Sequence, residues 1–527
     1  MGQENTSERK INNVSGDIGD VIVSAGPDAC EVWAKFPTSM LIPGVEWDQN
    51  TDTWTRIDIN GDPVTSFPWS FDDLRPWSAI RRVTLLDNGL VSHYGDGRGT
   101  GLTLDGTDGR VMVQIPRFWV RSESPSANVY RWWISPIPLS GFQLHPAFMQ
   151  RGMGIGGAAF IYVGAYDGDF EYDGDNEAYN AAHEKLHSRT GKQPYTGNND
   201  CIWSIPIDDL ANEPDIGDEV STPTEGGFFI VDYLKTAGAW GGGGAGDTAT
   251  IWLRKPGDAT CGMAGAEVLT NDTQANIIGN TTAGPTGRVV TITHTRTLAG
   301  NIGAGWGLIN IWSLSAVQLL FYTEYAGADS QTLVGKGIVD KAGGTGFNGE
   351  ASGFDNIDTN MGVNGTGAGT GTDGLTPIAY RGIENLWGNV WQFIDGYEAI
   401  DGDVGATDVK YRLINRDGSG TLANPMAGGD YEESLNLTNP IAPADGYIKN
   451  IVYQELTKLL FFSSDCGGSS STYLYDYWYS HDAGEVNILL AGGGWSNGVY
   501  AGVRYRNSDN VATIAARDVG ARLEFIG

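Results

Sequence analysis

Two imidazoles one helical turn apart, with a carboxylate between them, are the ligand and base set of a zinc hydrolase. His183-Glu184-Lys185-Leu186-His187 has that spacing, so on a helix His183 and His187 would grip the metal and Glu184 would act as general base. The flanks argue otherwise. "NEAYNAA" and "SRTGKQPYTG" are polar and are soon broken by Gly191 and Pro194, and no third histidine stands at the extended HExxHxxGxxH position. A solvated helix or turn is the expectation. Just upstream, Asp167, Asp169, Asp173 and Asp175 offer oxygen ligands at alternate positions and make Ca²⁺ the one candidate cofactor. The run lacks the bidentate glutamate of an EF-hand loop, and a solvated hairpin turn explains it equally well. "RTGK" at 189–192 lacks the preceding glycine and following hydroxyl of a phosphate-binding loop. No Gly-x-Ser-x-Gly elbow occurs and the six histidines are scattered, so no catalytic residue is assigned and a non-enzyme is expected.

A chain of 527 residues allows two to four domains to carry such groups, since single cores stop growing near roughly 250–300 residues. With 40% hydrophobic residues the chain can bury a core, while 76 glycines and only 18% charged residues point to strands and turns rather than long helices. A β-rich α+β class is expected. A net charge of −31 repels phosphate backbones and anionic membranes, so nucleic acid is not an expected partner. "MGQENTSERK" has no apolar core for a signal peptide, and no run of eighteen apolar residues occurs, so neither secretion by a leader nor membrane insertion is expected. The four cysteines, Cys30, Cys201, Cys261 and Cys466, lie far apart without zinc spacing and read mostly as buried free thiols.

Residues 1–105 are turn-rich with short apolar runs and read as an N-terminal β unit for attachment or oligomerisation; 106–199 begin the main body. Residues 200–292 change composition and read as an inserted small β module, with "GGFFIVDYL", "TATIWLRK" and "GRVVTITHT" as strands around the flexible "GAWGGGGAGD". Residues 293–527 complete the body. Its best helix is "SLSAVQLLFYTEYAG", capped by Ser313 or Ser315, with Leu314, Val317, Leu320, Phe321 and Tyr325 near one face. A glycine-rich loop follows at 362–374.

Aromatic residues concentrate downstream. Trp387 and Trp391 in "RGIENLWGNVWQFIDGY" read as core beside a close-packing glycine rather than a stacking platform. In "STYLYDYWYS" alternation sets Tyr473, Tyr475, Tyr477 and Tyr479 on one face and Asp476 and Trp478 on the other, with one face exposed. The ending, "AGGGWSNGVYAGVRYRNSDNVATIAARDVGARLEF", mixes rigid aromatics and short polar side chains between glycines, the composition of a binding surface.

"RGIENLWGNVWQFIDG", "YLYDYWYSHDAGEVNILLAGGGWSNGVYAGVRYRNSDN" and "DVGARLEF" resemble the C-type-lectin-fold variable proteins of diversity-generating retroelements and their tail-fibre relatives, the phage tropism determinants. "RPWSAIRRVTLLDNGLVSHY", "YRWWISPIPLSGFQLHPAF" and "GWGLINIWSLSAVQLLFYTEYAGADSQTLVGKG" extend the likeness over most of 40–527 outside the insertion. The resemblance implies a C-type lectin-like fold that shares ancestry with formylglycine-generating enzymes but binds rather than catalyses, since "GARLEF" stands where the enzyme carries cysteine. It also implies a display region at 491–525. Ser496, Asn497, Val499, Tyr500, Arg504, Tyr505, Arg506 and Asn507 match the projecting positions; Gly493, Trp495, Gly498, Gly502, Gly520 and Arg522 match the scaffold. Strand alternation would place Tyr500, Arg504 and Arg506 on one face and bury Val499 and Tyr505. The implied role is a virion receptor-binding protein on a tail-fibre tip or head, a homotrimer bound to other virion proteins and to a protein or glycan on the host cell. The alternatives are a non-binding structural virion subunit and a zinc hydrolase built on His183, Glu184 and His187.

Overall fold

The helix Ile311–Tyr325 is the element around which the body is built, and its residues from Ile311 to Glu324 are all buried. In the computed structural model, which describes residues 20–23, 32–35, 42–65, 70–149, 157–171, 184–192, 194–196, 198–215, 217–241, 246–254, 263–284, 286–341, 361–368, 373–403, 405–417, 431–436, 445–516 and 518–527, sheets and loops surround this helix. It therefore has no solvent face, which corrects the expected single apolar stripe. Three of its polar side chains are matched inside the core: Trp312 Nε1 donates to Ile414 O at 2.8 Å, Ser315 Oγ to Leu459 O at 2.6 Å, and Gln318 Nε2 to Val503 O at 2.8 Å.

Asn310 caps the helix rather than Ser313 or Ser315. Its side-chain oxygen accepts from Trp312 N at 2.8 Å and Ser313 N at 3.1 Å, while its Nδ2 donates to Glu524 Oε1 at 2.6 Å. An asparagine satisfies two otherwise orphaned amides and ties the helix start to the closing strand in one residue. Asn310→Ala should cost about 2 kcal/mol, read as a lowered denaturation midpoint at unchanged slope.

The architecture is β-rich, with strands at 39% of the chain against 10% helix. One antiparallel sheet runs, in spatial order, Trp306–Leu308, Leu523–Ile526, Phe160–Gly164, Arg110–Pro116, Arg81–Leu85 and Val91–Tyr94. The closing strand enters the middle of this sheet, with Phe525 opposite both Tyr162 and Trp306. A second antiparallel sheet joins Gln143–Leu144, Trp119–Ser126, Val129–Ser135, Gly44–Asp48 and Thr53–Ile57. Both sheets cross residue 105: Gly44 pairs with Trp133, and Val83 with Met112. The described residues from 42 to 105 are thus woven into the body, a correction to the separate N-terminal unit; residues 1–19 lie outside those described. A mixed sheet carries Tyr431–Glu433, Gly405–Ile414, Trp391–Gly402, Asn487–Ala491, Arg506–Val511, Tyr477–Tyr479 and Gly446–Tyr447, with Val519–Gly520 parallel to Trp391–Gly402.

Between Asn198 and Val289, against the expected module at 200–292, the chain forms a small antiparallel barrel. Asn198–Asp208 pairs with both Asn276–Thr281 and Thr248–Arg254, which closes the ring through Glu225–Ala237, Glu219–Thr222 and Val268–Asn271. It has its own core of Trp203, Ile205, Ile207, Phe229, Ile251 and Leu269.

Arg522 pins the body together. Its guanidinium, without exposed surface, donates to Gln392 Oε1 at 2.9 Å, Gly164 O at 2.8 Å, Asp167 Oδ1 at 2.6 Å and Glu384 O at 2.7 Å. Asp167 Oδ2 also accepts from Asn389 Nδ2 at 3.0 Å. Trp387 and Trp391 are buried, as read from the sequence, and Trp387 Nε1 donates to Gly335 O at 3.1 Å. Among the described residues no helix is long and apolar enough to cross a membrane. Cys466 is a half-buried free thiol, pushed up to about 11 by burial; nothing is described for the side chains of the other three cysteines.

Candidate functional site

The segment after Asn487–Ala491 turns on Gly492 and Gly493, whose φ values of +89° and +87° lie in the left-handed region that favours glycine. At Gly493 a Cβ would stand 2.6 Å from the Tyr505 ring, so only glycine lets the turn close over that tyrosine. A single 3-10 turn, Gly498–Tyr500, follows. It is held from outside: Gly498 N donates to Val339 O at 2.8 Å, and Gln331 Nε2 reaches Gly498 O at 2.9 Å and Ala501 O at 2.7 Å. Asn497 Oδ1 accepts from Gly494 N at 2.6 Å. The loop backbone is thus tied to two other segments while Ser496, Val499 and Tyr500 stay exposed.

Strand geometry begins only at Arg506, so the alternation expected across 499–506 does not operate. Val499 is 55% and Tyr500 38% exposed, Ser496 is exposed and Asn497 and Asn507 are half-buried, whereas Arg504, Tyr505 and Arg506 have no accessible surface. Two expectations are therefore corrected. Val499 is outside rather than buried, and Arg504, Tyr505 and Arg506 are supports rather than contact residues, because a side chain without surface offers a ligand nothing to touch. Tyr505 is buried as the alternation required, and its ring lies 4.4 Å from that of Trp391. Arg506 donates to Leu460 O at 2.6 Å and Gln318 Oε1 at 2.7 Å, with Phe462 beneath it. Arg504 lies over Phe461, and its backbone N–H donates to Asp476 Oδ2 at 2.7 Å. Burial lowers the proton affinity of both arginines and raises the Asp476 carboxyl to about 8.

Asp476 belongs to the tyrosine run, and here the alternation holds: Asp476 and Trp478 are buried while Tyr473, Tyr475, Tyr477 and Tyr479 are half-buried. The strand is limited to Tyr477–Tyr479, since Tyr473 and Tyr475 are left-handed at φ +62° and +61°. Tyr477 and Tyr479 meet the end of the 492–506 segment through a parallel pairing in which Trp478 faces Arg506. Tyr447 completes the group from the strand Gly446–Tyr447, opposite Tyr477. Ring centroids lie 4.7 Å apart for Tyr477 and Tyr500, 5.5 Å for Tyr447 and Tyr500, 5.3 Å for Tyr447 and Tyr477, and 4.9 Å for Tyr477 and Tyr479. Tyr505 supports them from below, 6.4 Å from Tyr500 and 6.2 Å from Tyr479. Burial raises the phenol pKa of Tyr447 and Tyr477, so both keep the O–H that donates and accepts. The result is a rigid, neutral, aromatic surface with hydroxyl edges and Val499 beside it. Sequence reading missed Tyr447: "DGYIKN" carries no local signal, and only the long-range strand register brings it to Tyr477.

The metal candidates fare differently. Lys185–His187 is a strand paired with Asp169–Glu171, where the helical convergence of residues four apart is lost, and His183 lies outside the described residues. This corrects the helix that the zinc reading required. The buried His187 ring has its pKa pulled well down by desolvation and by Arg110 and Arg189. Asp167 is taken by Arg522, Asp169 accepts from Arg189 Nε at 2.7 Å, and Asp173 and Asp175 lie outside the described residues. Among the described residues no group of three or more His, Cys, Asp or Glu side chains is placed to hold a metal ion.

No protein-family model matches this chain, and no curated protein shows significant sequence similarity to it.

Proposed function

We propose that the chain is a phage virion receptor-binding protein, on a tail-fibre tip or head, that attaches the particle to a host cell through the surface formed by Tyr447, Tyr477, Tyr479, Tyr500 and Val499. The observation that carries this reading is the contiguous tyrosine patch, held on a backbone fixed by glycine turns and cross-loop hydrogen bonds. Tyrosine supplies large, amphipathic contact area with few torsions to immobilise, which makes it a leading interface anchor. The resemblance of the C-terminal segments to retroelement variable proteins supports the same surface, with a C-type lectin-like body as scaffold. Ser496, Asn497 and Asn507 serve as its polar rim, and binding rather than catalysis is the activity. A homotrimer joined to other virion proteins would present several such patches to one cell, and simultaneous engagement multiplies weak contacts.

The test is adsorption of purified protein to candidate host cells, comparing wild type with a Val499→Asp, Tyr500→Ala double variant. Val499 is exposed and Tyr500 packs only on its neighbouring rings, so the variant should stay folded with at most a small fall in melting temperature while affinity falls about thirtyfold or more. Full adsorption by the variant would remove this surface from the attachment role.

A further inference from the structure

Far from the tyrosine patch in sequence, a cleft of about 510 Å³ is lined by Arg75, Arg81 and Arg117 together with Ser78, Gln114 and Phe160, and no carboxylate lines it. The chain as a whole carries a net charge of −31, so a lining of three arginines stands against its overall charge. Among the described residues none of the three guanidinium groups forms an ion pair. Arg81 is set in place: its Nε donates to Gln114 Oε1 at 3.0 Å, Gln114 Nε2 donates to Tyr162 Oη at 3.0 Å, and the guanidinium stacks 4.2 Å above the Tyr94 ring. Its terminal nitrogens keep their donors. Arg117 is braced over Trp119 at 5.5 Å. A neighbouring cleft that shares Ser78 and Arg81 carries Asp72 and Asp96, so the cationic character is confined to one side.

We propose that this cleft binds a compact anionic group of phosphate or sulfate chemistry. Planar guanidinium forks match tetrahedral oxyanions, and Ser78 adds a hydroxyl. The acidic remainder of the surface disfavours an extended polyanion, whereas a compact group feels chiefly the three cations within about a Debye length, roughly 8 Å at physiological salt. The site is independent of the receptor-binding surface.

Calorimetric titration at constant ionic strength tests it, with inorganic phosphate, a hexose phosphate and the neutral hexose as probes. Saturable binding of phosphate is expected, and an Arg75→Ala, Arg117→Ala variant should weaken it about tenfold or more. Both arginines are exposed, so the variant should melt as wild type does. Tighter binding of the hexose phosphate, with none of the neutral sugar, would assign a sugar-borne ligand held partly by Phe160; equal affinities would assign the free anion. Absence of saturable binding by either phosphate, or equal binding by the variant, would overturn the proposal.

Discussion

Arg522→Ala is expected to destabilise the protein by about 3–5 kcal/mol, the cost of removing one partner from a fully buried ion pair. The size follows from what is left behind. Asp167, with no accessible surface, would lose its guanidinium partner, and the carbonyls of Gly164 and Glu384 would lose the donor that holds them together. Those carbonyls lie on different segments, so the variant loses a junction as well as a bond. Arg522→Lys retains the charge but cannot reproduce a planar fork that reaches Gln392, Gly164, Asp167 and Glu384 at once, and should recover only part of the loss. Denaturant unfolding of the three proteins checks this; a loss below about 1 kcal/mol for the alanine variant would show that the junction is carried by packing alone.

Asp476→Asn should remove a pH dependence of stability rather than merely lower stability. Burial raises this carboxyl to about 8, against roughly 3.9 in an unfolded chain, so between those values the folded protein holds a proton that the unfolded chain has lost. Stability from this group is therefore fully present below about pH 4 and lost as pH rises toward 8, the reverse of a salt-bridged aspartate. The Arg504 guanidinium opposes the shift and Asp329 reinforces it, but neither outweighs desolvation. At 1.36 kcal/mol per unit the loss is bounded at about 6 kcal/mol. The asparagine variant lacks the titration, so its melting temperature should match wild type near pH 4 and exceed it near pH 9. Parallel curves across that range would refute the assignment. Because Asp476 lies between Tyr475 and Tyr477 and accepts from Arg504 N, the same titration should weaken adsorption at high pH.

What could be read from the sequence was what depends on local period and composition. The abundance of strands, the burial of Trp387 and Trp391, and the inward Asp476 and Trp478 all follow from patterns within a few residues. The display loop failed that reading because a 3-10 turn and bends replace strand geometry before Arg506, and a two-residue period has no meaning there. Arg504 and Arg506 were misplaced for a further reason: arginine is ordinarily a surface residue, and only the acceptors Leu460 O and Gln318 Oε1, distant in sequence, make a buried Arg506 tenable. Asn310 outdid Ser313 and Ser315 as cap because the buried Glu524 holds its amide, a partner no local pattern reveals. The arginine cleft was equally invisible, since its residues come from separate strands and loops.

The position of Leu523–Ile526 inside the first sheet sets an order of events during synthesis. Phe160–Gly164 and Trp306–Leu308 emerge from the ribosome long before the strand that must lie between them. Until that strand arrives, each presents an open edge, the template on which strands of neighbouring chains pair. The tyrosine surface likewise waits for the junction that Arg522 supplies. The interval before Leu523–Ile526 docks is therefore the one in which those two edges most need a chaperone's cover.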